Sequence, residues 1–187
     1  MCSSDLPGPG LRMRPMEFDF PWALASFECE PNVKLSSVAV RYKGNSSFGA
    51  GTRIGKRSMR LDFNKEVAGQ KFFGMTELAL NNNAMDESQM IEAISYSLFR
   101  DAGVIAPRTA YVKLYAIVEG RDEEFLGLFT AVEIVDERFL KSRFDSRSGL
   151  LLKPERAIDL PWLGNGDKAY RSIYEPKTSR SEEHTSE

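Results

Sequence analysis

A period of two, repeated twice within a short distance, constrains this chain's fold most. In SSVAVRYK, Val38, Val40 and Tyr42 alternate with Ala39, Arg41 and Lys43; in SMRLDF, Met59, Leu61 and Phe63 alternate with Arg60 and Asp62. Successive side chains of a strand point to opposite faces, so each segment reads as a strand with one buried face. Between them, GNSS is a turn by composition and FGAGTRIGK a glycine-rich loop. The unit is strand, loop, strand.

The period then changes. TELALNNN predicts a short strand ending at Asn81, after which Asp86 is expected to cap a helix over Glu87–Ala102. Met90, Ile91, Ile94, Leu98 and Phe99 form its apolar stripe, and Gly103 stands just past its end as a stop. TAYVKLYAIV and FLGLFTAVEIV predict two strands of a hairpin around EGRDEE. DERFLKSRF predicts a short helix from Asp136, and GLLLK another strand. Upstream, a strand around Ala25–Cys29 is limited by Pro21 and Pro31, and Pro7–Pro15 reads as linker. The tail from Pro154 to Thr178 reads as irregular, with one helical turn. The expected fold class is α+β: a twisted, mainly antiparallel sheet with the helix Glu87–Ala102 packed on it.

Neither end belongs to this pattern. MCSSDL and RSEEHTSE lack apolar periodicity, and one DNA segment encodes both. AGATCGGAAGAGCACAC reads Arg-Ser-Glu-Glu-His-Thr, and its reverse complement reads Cys-Ser-Ser-Asp-Leu after an initiating GTG. That DNA resembles a sequencing-library adaptor. Residues 1–6 and 180–187 are therefore read as translated adaptor, 7–34 as linker and start of the domain, and 35–179 as the domain itself. A frame bounded in this way is expected to be a piece of a longer one.

Setting the ends aside restricts the chemistry. The single histidine, His184, lies in the final segment, so Ser-His-Asp and Cys-His catalysis and imidazole metal ligation are excluded from the rest. Cys29 stands alone, without a partner for a disulfide or a zinc cluster. Of 25 basic and 27 acidic residues, 24 and 23 remain, and a balance of +1 implies no nucleic-acid partner. No apolar run is long enough to span a bilayer.

Four segments, VAVRYKGNSSF, KRSMRLDFN, LALNNNAMDESQMIEAISYSLFRDAGVIAPRTAYVKLY and FLGLFTAVEIVDERFLKSRF, resemble the CotH-type kinase family in order, spacing and wording, as do the later LLKPE and YEPKT. The resemblance covers Ser37 to Thr178. It implies the amino-terminal lobe of an atypical protein-kinase-like fold, with ATP and Mg2+ or Mn2+ as cofactors. The γ-phosphate would pass to Ser or Thr of a coat, envelope or secreted protein.

Phosphoryl transfer needs N–H groups and cations around the phosphates, because its catalysis is mostly positioning and charge neutralisation. The glycine loop with Ser46 can lie close over phosphates. Lys56 and Arg60 supply cations, Arg60 standing where the family usually has lysine. The resemblance makes Glu92 the helix partner of Arg60, although Ile91 replaces the arginine that ordinarily precedes it. It makes Glu133, in the connection between lobes, a nucleotide contact, and Lys153 a phosphate or ribose contact. Asn81, Asn82 and Asn83 read as turn geometry.

No catalytic or metal-ligating aspartate is assigned. The family carries both in a second lobe, expected beyond Thr178 as the missing carboxy-terminal partner in cis, so the chain alone is expected to be inactive. AMP transfer on the same fold and a non-catalytic scaffold or pseudokinase are the alternative readings.

Overall fold

The computed structural model describes residues 20–44, 46–144, 151–154, 162–171 and 173–177. The two end segments, the linker Pro7–Pro15 and the Gly149–Leu150 start of GLLLK lie outside them. The elements run β1 (Ala23–Cys29), β2 (Val33–Tyr42), α1 (Ser46–Arg53), β3 (Met59–Asp62), β4 (Glu77–Asn81), α2 (Ile91–Asp101), β5 (Thr109–Ala116), β6 (Glu124–Glu133), α3 (Glu137–Phe144), β7 (Leu152–Pro154), α4 (Asp167–Arg171) and β8 (Tyr174–Pro176). They fall into two compact units, Met1–Ser95 with Thr109–Val132, and Tyr96–Arg108 with Glu133–Glu187.

The first unit is built on a six-stranded sheet in the order β1-β2-β3-β4-β6-β5. The pairs β1-β2, β2-β3, β3-β4 and β5-β6 are all antiparallel. The α+β class with a mainly antiparallel sheet is the observed one. Both alternating segments do what their period requires: Val38, Leu61 and Phe63 are buried in one core with Phe72, Leu78, Leu80 and Phe129. The rings of Phe27, Phe63 and Phe72 meet with centroids 5.3, 5.0 and 5.5 Å apart. Arg41, Arg60 and Ala79 lie across from one another on the opposite face.

Strand β2 begins at Val33, earlier than the alternation predicts. Val33 and Leu35 pack against the same core as Val38 and Val40, although an unbroken period of two would send the pairs to opposite faces. The pairing with β1 slips between Ala25 and Phe27, so that two steps on β1 oppose three on β2, and Ser37 takes φ 54°. This bulge restores the phase. A pattern search that stops at a break in alternation stops at Ser36–Ser37.

Helix α2 also differs from expectation, starting at Ile91 rather than Glu87. Asp86 accepts hydrogen bonds from the Ser88 N–H and hydroxyl with Oδ1, and from the Ile91 N–H with Oδ2 at 2.8 Å. The carboxylate therefore organises a local turn that competes with the first helical turn, and Gln89 adopts φ 55°. The far end follows the sequence: Gly103 at φ 78° closes the helix, with Val104 N–H on the Phe99 carbonyl at 2.8 Å and Gly103 N–H on that of Arg100 at 3.0 Å. The apolar stripe of Ile91, Ile94, Leu98 and Phe99 is exposed, and α2 is tied to the sheet by polar contacts at its first turn.

In the second unit, Asp136 Oδ1 caps α3 by accepting from the N–H groups of Arg138 and Phe139 at 2.9 and 2.8 Å, as its position predicts. Phe139 is buried. The strands β7 and β8 form a small antiparallel pair in which Lys153 lies opposite Glu175. Among the described residues, no helix is long and apolar enough to cross a membrane.

Candidate functional site

The segment expected to be a glycine-rich loop is largely helical, because α1 spans Ser46–Arg53. Two glycines argue against a helix by propensity, at about 1 kcal/mol each, but packing overrides them. Phe48 sits against Tyr42 and Phe20, with ring centroids 6.2 and 4.6 Å away. Gly51 is buried so tightly that a Cβ there would lie 2.3 Å from the Lys56 carbonyl oxygen and 2.4 Å from Asn82 Nδ2. Glycine is present for close approach within a helix. Ser46 opens α1, and its side chain lies outside the described part of the structure.

Asn82, almost fully buried, binds this turn together. Its Nδ2 donates to the carbonyls of Lys56 at 2.7 Å and Ser47 at 3.3 Å, its Oδ1 accepts from Ala84 N–H, and its own N–H donates to Ser58 Oγ. Its neighbour Asn83 donates to Thr130 Oγ1 at 2.9 Å. The asparagine run is thus more than turn chemistry, and its wiring to α1, to the Lys56–Ser58 segment before β3 and to β6 has no signal in the local sequence.

Lys56 emerges from this braced loop. Its ammonium donates to Gln89 Oε1 at 3.2 Å and stands 4.9 Å from the centre of the Phe129 ring. Gly127, in β6, lies beside its stem: a Cβ there would be 3.4 Å from Lys56 Cε. Burial holds the ammonium below its ordinary pKa, because the charged form has lost solvent. No carboxylate pairs with it among the described residues.

Arg60 and Glu92 are not joined to each other. The Arg60 guanidinium pairs with Glu77 on the neighbouring strand β4 through both Nε and Nη2. Glu92 instead accepts from Asn81 Nδ2 with both oxygens, at 2.7 and 2.9 Å, and Asn81 Oδ1 accepts from Lys43 Nζ at 2.6 Å.

Glu133 and Lys153 belong to the second unit. The Glu133 carboxylate is committed to two arginines: Oε1 accepts from Arg108 Nη2 at 2.9 Å, and Oε2 accepts from Arg108 N–H and Nε at 3.1 Å and Arg143 Nη2 at 3.2 Å. Burial by itself would raise its pKa, but the Arg108 hydrogen bonds and the charges of both arginines outweigh that and hold the carboxyl below its ordinary value. Lys153 is exposed on β7.

Two half-buried lysines, Lys43 and Lys56, stand at the ends of the segment that carries α1, and each is a cation of the kind an anion calls for. A metal ion is a different matter: among the described residues, no three His, Cys, Asp or Glu side chains come together to hold one. No curated protein matches the chain. The CotH kinase protein family matches residues 40–187, from the last three residues of β2 onward and well over half of the whole. This is a family of kinase type, and the chain belongs to it.

Proposed function

We propose that this chain is the nucleotide-side lobe of an ATP-dependent protein kinase that phosphorylates Ser or Thr hydroxyls of coat, envelope or secreted proteins. The supporting observation is Lys56, a half-buried cation with no carboxylate partner among the described residues, braced by Asn82 and held against Phe129. A desolvated ammonium gains most from an anion brought to it, and a triphosphate supplies one. Arg60, its charge paired with Glu77, is left out of the phosphate set. Ser46, which opens α1, is a further phosphate contact in this reading. Glu133 contributes by fixing the start of the connection after β6 rather than through its filled carboxylate.

In the transfer, a substrate Oγ–P bond forms as the bond from the γ-phosphorus to the bridging oxygen breaks, and ADP leaves. The residues of this lobe bind and orient the phosphates. A divalent metal, when bound, neutralises charge between them. The carboxylates that hold it and accept the hydroxyl proton are assigned to a second lobe beyond Thr178, so the chain by itself transfers nothing.

Incubation of the purified chain with γ-labelled ATP, Mg2+ or Mn2+ and a Ser/Thr-rich acceptor tests this. Transfer should not exceed a no-protein control, whereas a protein carrying both lobes should label the acceptor from the γ position and lose that labelling in Lys56→Met. Labelling by the chain alone, or undiminished labelling by Lys56→Met, refutes the assignment.

A further inference from the structure

The six-stranded sheet has two open edges, β1 and β5, and they are built differently. Strand β1 is bounded by Pro21 and Pro31, and its register breaks in mid-strand, between Ala25 and Phe27. Prolines and bulges of this kind stop a further strand from adding. Strand β5 contains no proline, and Thr109–Leu114 runs in unbroken register before the pairing shifts at Tyr115. Tyr111 and Tyr115 are 45% and 51% exposed, and Phe125 packs against Tyr115 with ring centroids 5.0 Å apart.

The register also fixes which backbone groups β5 leaves open. Just before the strand, the Arg108 carbonyl accepts from Glu133 N–H at 3.0 Å, which makes that pair a hydrogen-bonded one. Antiparallel strands alternate hydrogen-bonded and non-hydrogen-bonded pairs. Ala110, Val112 and Leu114 therefore turn their N–H and C=O groups to Ala131, Phe129 and Gly127. Thr109, Tyr111, Lys113 and Tyr115 turn theirs outward. Among the described residues, none of these four has a backbone hydrogen bond on that side. Their side chains lie on the face away from the core, because Val112 and Leu114 pack against it.

We infer that β5 pairs antiparallel with the β5 of a second copy of this chain, about a two-fold axis at Val112, joining two sheets into one. The residues of the edge select both partner and register. With the axis at Val112, Thr109 meets Tyr115 and Tyr111 meets Lys113, each twice, and the outward N–H and C=O groups of all four residues find partners. The side-chain pairs are β-branched with aromatic and cation with ring, both favourable across strands. An axis one residue later sets Lys113 against Lys113, a like-charge pair. An axis one residue earlier sets Tyr115 opposite Pro107, which has no N–H to give. A lysine on an edge strand is a common guard against pairing; here it excludes one register and favours its neighbour. On the core face Val112 meets its own copy and Ala110 meets Leu114, so the half-buried Val112 and Leu114 gain cover. No residue assigned to the phosphate takes part, and the pairing stands apart from the ATP reading.

A seven-residue strand pair is a small interface, so sedimentation equilibrium of the whole chain should be run up to about 500 μM, where weak association is populated. Monomer and dimer should be in equilibrium. Lys113→Pro removes an outward N–H while leaving the ladder to β6 intact, and should weaken dimerisation about tenfold or more, for two hydrogen bonds lost per dimer. Tyr111→Lys, which sets lysine against lysine, should weaken it about threefold or more, and Tyr111→Lys/Lys113→Glu should restore it to wild type or tighter. If circular dichroism shows Lys113→Pro to be unfolded, the charge variants decide. Leu98→Asp, in the exposed stripe of α2, should leave the dimerisation constant within about twofold. A chain that stays monomeric throughout overturns the proposal and leaves the edge to a strand of another protein. Dimers that persist unweakened in a folded Lys113→Pro, that the charge exchange fails to restore, or that dissociate in Leu98→Asp form through another surface and overturn it equally.

Discussion

Replacing Gly51 with alanine sets two effects of opposite sign against each other. By helix propensity the change should stabilise α1 by about 0.5–1 kcal/mol, since glycine loses the most backbone freedom on folding. The added Cβ, however, would sit 2.3 Å from the Lys56 carbonyl oxygen and 2.4 Å from Asn82 Nδ2. Relieving that contact means moving backbone by about 1 Å, and overpacking of this kind costs about 1–3 kcal/mol. The same displacement lengthens the Asn82 bond to the Lys56 carbonyl, now 2.7 Å, and leaving a buried amide unsatisfied costs a further ~1–3 kcal/mol. The expected net loss for Gly51→Ala is about 2–4 kcal/mol. Gly49 provides the control in the same helix, because a Cβ there meets nothing within 4 Å. Gly49→Ala should therefore stabilise by roughly 0.5–1 kcal/mol. Urea unfolding of the two variants beside wild type reads both signs, provided the denaturant slope is unchanged. If Gly51→Ala matches or exceeds wild-type stability, α1 does not pack on the Lys56 loop as described, and the bracing of Lys56 loses its basis.

Other outcomes follow from the core and from the second unit. Phe63, fully buried among Phe27 and Phe72, should cost about 3–5 kcal/mol on replacement with alanine, read by the same urea titration. Glu133 has its folded pKa held below the unfolded value, so its contribution should be complete above about pH 4.5 and disappear as pH falls through the folded value. Glu133→Gln should accordingly destabilise at pH 7, by about 1–3 kcal/mol given that Arg108 is 56% exposed and screened. The gap between the two proteins should close on acidification below pH 4.5. A gap that is constant from pH 7 to pH 3 would mean the arginines do not favour the ionised carboxylate.

What could be read in the sequence, and what could not, separates by the range of the interactions involved. The alternation in Val38–Tyr42 and Met59–Phe63, the stop at Gly103 and the cap at Asp136 are decided by neighbours within four residues, and each is found where the pattern puts it. Local rules failed where local chemistry served a distant partner. Gly51 reads as a flexible loop residue because its reason for being glycine is a carbonyl beyond the end of its own helix. The resemblance links Arg60 to Glu92, yet Arg60 pairs with Glu77 on the neighbouring strand, and it is Asn81, two rows away, that meets Glu92.

The asparagine run carries this furthest. Asn81, Asn82 and Asn83 are identical in sequence and indistinguishable to any composition rule. Their side chains reach Lys43 and Glu92, 38 and 11 residues away; Ser47 and Lys56, 35 and 26 away; and Thr130, 47 away. Three side chains of one type at the end of a central strand, each tied to a different element, are a costly way to make a turn. Glycine or aspartate at Asn83, whose φ is 52°, would serve a turn as well. An amide that donates and accepts at once is required only where a carboxylate must be joined to an ammonium, as at Asn81, or two carbonyls to an N–H, as at Asn82. Those are the two places from which Lys43 and Lys56 are held.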